Sequence, residues 1–158
     1  MMNAFKSLAV ASYLLDGCKK AGDPFVTPMQ LIKMVYIAHG YMLGARGAAL
    51  IDEPVEAWQY GPVIPSVYRA LKGFGSSAVS YVPGANAFPF TEDERKVLDF
   101  VSARYAKYNA VTLSAATHKP GTPWFTTWTT FGKNSVISND VIQNFYSNLL
   151  RQPTHSSL

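Results

Sequence analysis

TPMQLIKMVYIAHGYMLG, residues 27–44, reads as one complete helix. Thr27 stands at the N-cap, Pro28 at the first helical position and Gln30 at the third position of a capping box, while Gly44 supplies a left-handed stop. Winding the segment at about 100° per residue gathers Leu31, Ile32, Val35, Met42 and Leu43 in one arc, with Ala38 and Met34 along one edge and Tyr36 at the other. His39 falls inside that arc. Lys33 is the only formal charge in the segment. A helix with so little claim on water belongs in the interior, so the other elements are expected to pack around it.

The composition is consistent with a firm core. Of 158 residues, 48% are hydrophobic, 13% aromatic and only 15% charged, and a chain of this length removes roughly 70% of its unfolded surface from water without a disulfide. The single cysteine, Cys18, excludes an intramolecular bridge and a Cys-based metal cage and suits a reducing cytosol. The net charge of +4 permits nucleic-acid binding, yet seven basic and five acidic residues stand on each side of Ser80, with no basic tail. That is a weak electrostatic footprint for a DNA binder. The apolar run Leu8–Leu15 is followed by Asp16, Lys19 and Lys20 with no cleavage site, and is too short to span a bilayer. The expectation is a cytoplasmic protein.

Outward from the central helix, residues 3–21 predict a first helix between Asn3 as cap and Gly22 as stop, lying beside the central one. After Gly44 the chain to Pro54 is turn-like. Val55 to Tyr60 reads as a short strand ended by Gly61-Pro62, and Pro65 opens a helix through Leu71 that stops at Gly73. A second short strand is expected at Val79 to Val82, pairing with the first. Thr91 and Glu94 form another capping box, starting a helix to about Tyr108 whose face is Val97, Leu98, Val101, Arg104, Tyr105 and Tyr108. Thr112–Thr117 predicts a shorter helix, and Trp124 to Phe131 another. Asn139 is expected to cap a last helix, 140–150, with Val141, Ile142, Phe145 and Leu149 inward and a frayed tail from 152. No linker or repeat divides the chain. The fold class expected is mainly α: a single compact helical domain over 1–158 around a buried central helix, with a small antiparallel β element.

Little in the sequence signals catalysis. His39 and His118 could form an acid/base pair for a hydrolase or nuclease if they met and faced solvent, but a histidine within an apolar arc more often serves a buried hydrogen bond. His155 lies in the tail. No histidine stands at metal-binding helical spacing with another ligand, no phosphate or nucleotide loop is present, and no cofactor is expected. Cys18 fits a small core residue. Trp58, Tyr60, Tyr68 and Trp124 flank Gly/Pro turns, where large amphipathic rings can either close the core or anchor a partner.

Three blocks together carry a specific pattern: Lys33-Met34-Val35-Tyr36-Ile37-Ala38-His39-Gly40; Trp58-Gln59-Tyr60-Gly61-Pro62-Val63-Ile64-Pro65-Ser66-Val67-Tyr68; and Thr117-His118 with Gly121-Thr122-Pro123-Trp124. In order and spacing, over about 27–131, they resemble the Panacea domain, also called SocA-like or GepA-like. The resemblance implies a non-catalytic bacterial or prophage antitoxin that neutralises a cognate toxin by binding it. SocA-like members also hand a toxin to an AAA+ protease. It implies partner-binding residues among Tyr36, His39, Trp58, Tyr60, Tyr68, His118 and Trp124, on a framework set by Gly40, Gly61, Pro62, Pro65 and Pro123. Some relatives add a DNA-binding helix-turn-helix, for which this chain has no room outside the domain, so operator binding is not expected. A phage protein directed at a host defence or regulatory protein is the alternative within the same binding class.

Overall fold

The computed structural model describes residues 5–22 and 25–152. Its elements, in order, are α1 (Lys6–Lys20), α2 (Pro28–Arg46), β1 (Val55–Trp58), β2 (Gly61–Val63), α3 (Pro65–Leu71), a 3-10 turn (Lys72–Phe74), α4 (Glu92–Tyr105), α5 (Ala110–His118), α6 (Pro123–Phe131), β3 (Ser135–Ile137) and α7 (Asn139–Leu150). The fold is mainly α with a small antiparallel sheet, as expected from the sequence.

α2 is the centre. Thr27 and Gln30 form both halves of the capping box. Every residue from Leu31 to Leu43 is buried. A fully buried Leu or Val side chain contributes about 1.5–3 kcal/mol, which is why the most apolar segment takes the position with neighbours on all sides. α7, α1, α4 and α5 surround it. The helix does not stop at Gly44: it continues to Arg46, and Gly47 is the left-handed cap at φ 67°. Gly44 is instead where the backbone of α7 packs against α2, since a Cβ there would lie 2.8 Å from the Tyr146 carbonyl carbon. A small residue inside a helix and one at its end look alike in sequence.

α1 begins at Lys6 after the extended residue Phe5, and Gly22 follows its end with φ 94°. Asn3, read as its cap, lies outside the described residues, as do positions 153–158 and His155. α4 starts at the Thr91–Glu94 capping box and ends at Tyr105, three residues sooner than expected. Glu94 also pairs with Lys6, fastening α4 to α1. Gln30 Nε2 donates to the Ala106 carbonyl at 3.2 Å, and the Tyr41 and Tyr105 hydroxyls meet at 2.6 Å, joining α2 to the end of α4.

The sheet differs from the expectation. Gly61–Val63 continues as β2 rather than ending the strand, and β1 is central in the order β2-β1-β3. Glu56 faces Val63 on one side and Val136 on the other. Val79 to Val82 is not a strand. Val79 and Val82 are 1% and 5% exposed because the segment lies over the core, where the Val79 N–H donates to the Val26 carbonyl at 2.7 Å. β3 was not foreseen, because three residues carry too little pattern to register.

Candidate partner-binding surface

The motif residues divide by burial. Tyr36 is 1% exposed and His39 0%, so neither presents a side chain to a partner, contrary to the expectation from the resemblance. Tyr36 lies edge-on to Tyr146, 6.2 Å between centroids. His39 links three elements. The Ile51 N–H donates to Nδ1 at 3.5 Å, so Nδ1 carries no proton and Nε2–H is left to donate to Asn139 Oδ1 at 3.0 Å. Asn139 is therefore not the cap of α7. Ser138 takes that position, accepting from the Val141 N–H at 3.2 Å.

Burial lowers the His39 pKa below its usual 6.5, partly opposed by the Asn139 bond and the nearby Glu53 charge. The unfolded chain then takes up a proton first as pH falls through about 6.5, so this residue's contribution to stability is lost on acidification. His39→Leu is expected to cost about 1–3 kcal/mol at pH 7, because the Ile51 N–H loses its acceptor, and to flatten the stability profile between about pH 5 and 7. Urea denaturation of both proteins at the two pH values checks this. The acid/base pairing with His118 required a solvent-facing His39, and that condition is not met. His118 serves another cluster, with Nδ1 3.4 Å from Ser114 Oγ and its ring edge-on to Trp124 at 5.3 Å.

Around the β1–β2 turn the rings come outward. Tyr60 is 62% exposed and Tyr68 38%. Trp58 is half-buried, its ring T-shaped against Tyr68 at 5.0 Å, and its Nε1–H donates to the Glu56 carboxylate at 2.9 Å. These three rings form an aromatic ledge on the turn and the first turns of α3, which Pro65 opens at its first helical position.

The ledge is held from beneath. Gly61 takes φ 118°, a value available to glycine, which lets the chain reverse between Trp58 and Pro62. Pro62 offers no N–H, and its carbonyl accepts from Lys33 Nζ at 2.9 Å. Ser114 Oγ on α5 donates to the Tyr60 carbonyl at 2.7 Å, and Trp124 Nε1–H on α6 donates to the Trp58 carbonyl at the same distance. Trp124 is only 6% exposed and stacks on Trp128 at 5.0 Å, so it acts as a support beneath the ledge rather than a contact on it. Pro123 opens α6, capped by Thr122. Lys33 is fully buried, with no carboxylate in salt-bridge range among the described residues. Burial alone pulls its pKa down to about 7. Its place in the apolar run was visible in sequence, but its use as a clamp on the turn was not. Ser114 carried no signal at all.

With this geometry in view, the comparisons with known proteins decide the family. The family model "Antitoxin SocA-like, Panacea domain" matches residues 31–125, more than half of the chain. The chain belongs to the SocA-like Panacea family. It is also similar to "Antitoxin SocA" of Caulobacter vibrioides (strain NA1000 / CB15N), 30% identical over an alignment of 126 residues that covers 73% of this chain and 66% of that protein. The Panacea chain thus spans just under two thirds of its relative's length. No solved structure matches it. The matched region runs from within α2 through the ledge to the start of α6, so it contains both the buried and the outward-facing parts of the motif. Among the described residues, no helix is long and apolar enough to cross a membrane.

Proposed function

We propose that the chain is an antitoxin that neutralises a toxin by direct protein–protein binding, with Trp58, Tyr60 and Tyr68 as its anchors. The observation that carries this reading is the rigidly supported, outward-facing aromatic ledge in a member of an antitoxin family. Large rings on a framework that needs no rearrangement bind with little entropic cost, and Trp and Tyr dominate interface energetics for that reason. Delivery of the bound toxin to an AAA+ protease extends the same reading; it predicts that the toxin's half-life in cells shortens when the chain is present.

Co-expression with the product of the neighbouring gene, followed by pull-down and a growth assay, tests the proposal. A toxic neighbour rescued through a stable complex supports it, and a harmless neighbour that does not bind speaks against it. Within such a complex, Trp58→Ala or Tyr68→Ala is expected to weaken binding by more than about 1 kcal/mol, several-fold in Kd, with the fold intact by circular dichroism. Unchanged calorimetric affinity in both variants would remove those rings from the interface.

A further inference from the structure

The fold gathers positive charge around the ledge. The elements that carry or support it, residues 55–74 and 110–137, hold Arg69, Lys72, Lys119 and Lys133 against Glu56, and Glu53, in the loop before β1, accepts from Ser66 Oγ of α3 at 3.1 Å, so four cations stand against two carboxylates. All four cations are exposed, and Glu56 is already engaged by Trp58 Nε1. The ion pairs among the described residues, Lys6–Glu94, Arg46–Asp93 and Lys96–Glu92, lie on α1, α2 and α4 and neutralise none of them.

Each cation stands beside, or one helical turn from, a residue that carries or supports the ledge. Arg69 follows Tyr68 on α3, and Lys72 stands four residues on, one helical turn from that ring. Lys119 follows His118, whose ring abuts Trp124, the residue that holds the Trp58 carbonyl. Lys133 lies beside Asn134, whose N–H donates to the Ala57 carbonyl of β1 at 2.7 Å. Along the sequence the two halves carry equal charge, so only the folded arrangement reveals the bias. Unneutralised cations bordering apolar rings attract and orient an acidic surface and reject a basic one.

We infer that the surface received by the ledge is an acidic protein surface, whose Asp and Glu side chains meet Arg69, Lys72, Lys119 and Lys133 while an apolar side chain packs beside Trp58 and Tyr68. This rests on the antitoxin reading and adds the charge of what is bound. Single-stranded nucleic acid is the other polymer that combines stacking rings with cations, and the test separates it.

The test selects random peptides of about 12 residues, displayed on phage, against the full chain at about 50 mM salt, where screening is weak. Two variants of equal net charge serve for comparison: R69E/K72E/K119E/K133E at the ledge, and K20E/K96E/K107E/R151E elsewhere. The wild type and the second variant are expected to enrich net-negative peptides with an aromatic or aliphatic anchor. An enriched peptide should bind the ledge variant at least about tenfold more weakly, and Trp58→Ala should weaken it too. If the ledge variant does not fold, R69E/K72E and K119E/K133E are each measured separately.

Peptides with no charge bias, or equal losses in the ledge and control variants, overturn the inference. A poly-dT oligonucleotide that binds more tightly than any selected peptide and loses that binding in Trp58→Ala overturns it in favour of a nucleic-acid surface. The selection uses no toxin, so its failure is distinct from a failed growth rescue, which counts against the antitoxin reading alone.

Discussion

Gly44→Ala is expected to destabilise the domain although it improves the helix in which it sits. A Cβ at Gly44 would stand 2.7 Å from Tyr146 Cβ, 2.8 Å from the Tyr146 carbonyl carbon and 2.9 Å from the Ser147 nitrogen. Two of those atoms are backbone, so relief requires the whole of α7 to move away from α2. One turn earlier, a Cβ at Gly40 would overlap the Tyr146 ring, 2.5 Å from Cδ2 and 2.6 Å from Cζ. That ring cannot swing aside, because Tyr36, Tyr41 and Phe145 pack around it at centroid distances of 6.2, 5.1 and 5.2 Å. Overpacking of this kind costs about 1–3 kcal/mol and sometimes more, and Ala in place of Gly returns only about 1 kcal/mol of helix propensity. With backbone atoms in the clash the cost lies at the upper end, about 3 kcal/mol, so the net loss at Gly44 should be about 2 kcal/mol, a Tm fall of roughly 4–8 °C for a chain of this size. Gly73→Ala is the control, since a Cβ there meets nothing within 4 Å. A Gly44→Ala protein as stable as wild type in a thermal melt would mean that α7 does not lie directly on α2.

Lys33→Met should have the opposite sign. The Lys33 ammonium is fully buried with one carbonyl acceptor, and its pKa falls from 10.5 to about 7 through desolvation. Below about pH 7 both folded and unfolded chains hold the proton, and the fold bears the full cost of burying a charge. Between about pH 7 and 10.5 the unfolded chain binds more protons than the folded one, so stability rises with pH until the cost is gone. A shift of that size corresponds to at most about 4 kcal/mol at pH 7. Methionine fills similar space without the charge but leaves the Pro62 carbonyl without its donor, a loss of about 1–3 kcal/mol. The expected net gain at pH 7 is about 1–3 kcal/mol, with the rise between pH 7 and 10 absent from the variant. Urea denaturation at three pH values reads both effects. The same variant frees the β1–β2 turn from α2, so it should weaken partner binding even as it strengthens the fold.

The parts of the fold legible in the sequence are those fixed by neighbours along the chain. The capping boxes at Thr27/Gln30 and Thr91/Glu94 form as read, and Pro65 and Pro123 open their helices, because these signals act within one turn. What the sequence did not disclose depends on contacts between distant elements. Gly44 read as a stop because its real constraint, α7, lies 100 residues away along the chain, and Asn139 read as a cap because its real partner is His39, equally distant. Val79 to Val82 read as a short strand, yet both valines are buried in a loop. The candidate site was half legible for the same reason. Tyr36, Trp124, Tyr60 and Tyr68 are alike in type and motif membership, and only the fold separates the first two, in the interior, from the last two, in water.

The most direct measurement of the central claim, that the outward half of the motif is where a partner protein binds, is amide hydrogen exchange on the complex recovered by co-expression. The account predicts protection on complex formation over the β1–β2 turn, Trp58 to Pro62, and the start of α3 around Tyr68, with the exposed faces of α1 and α4 unchanged. Protection confined to α1 and α4, with the ledge exchanging as in the free chain, would contradict it.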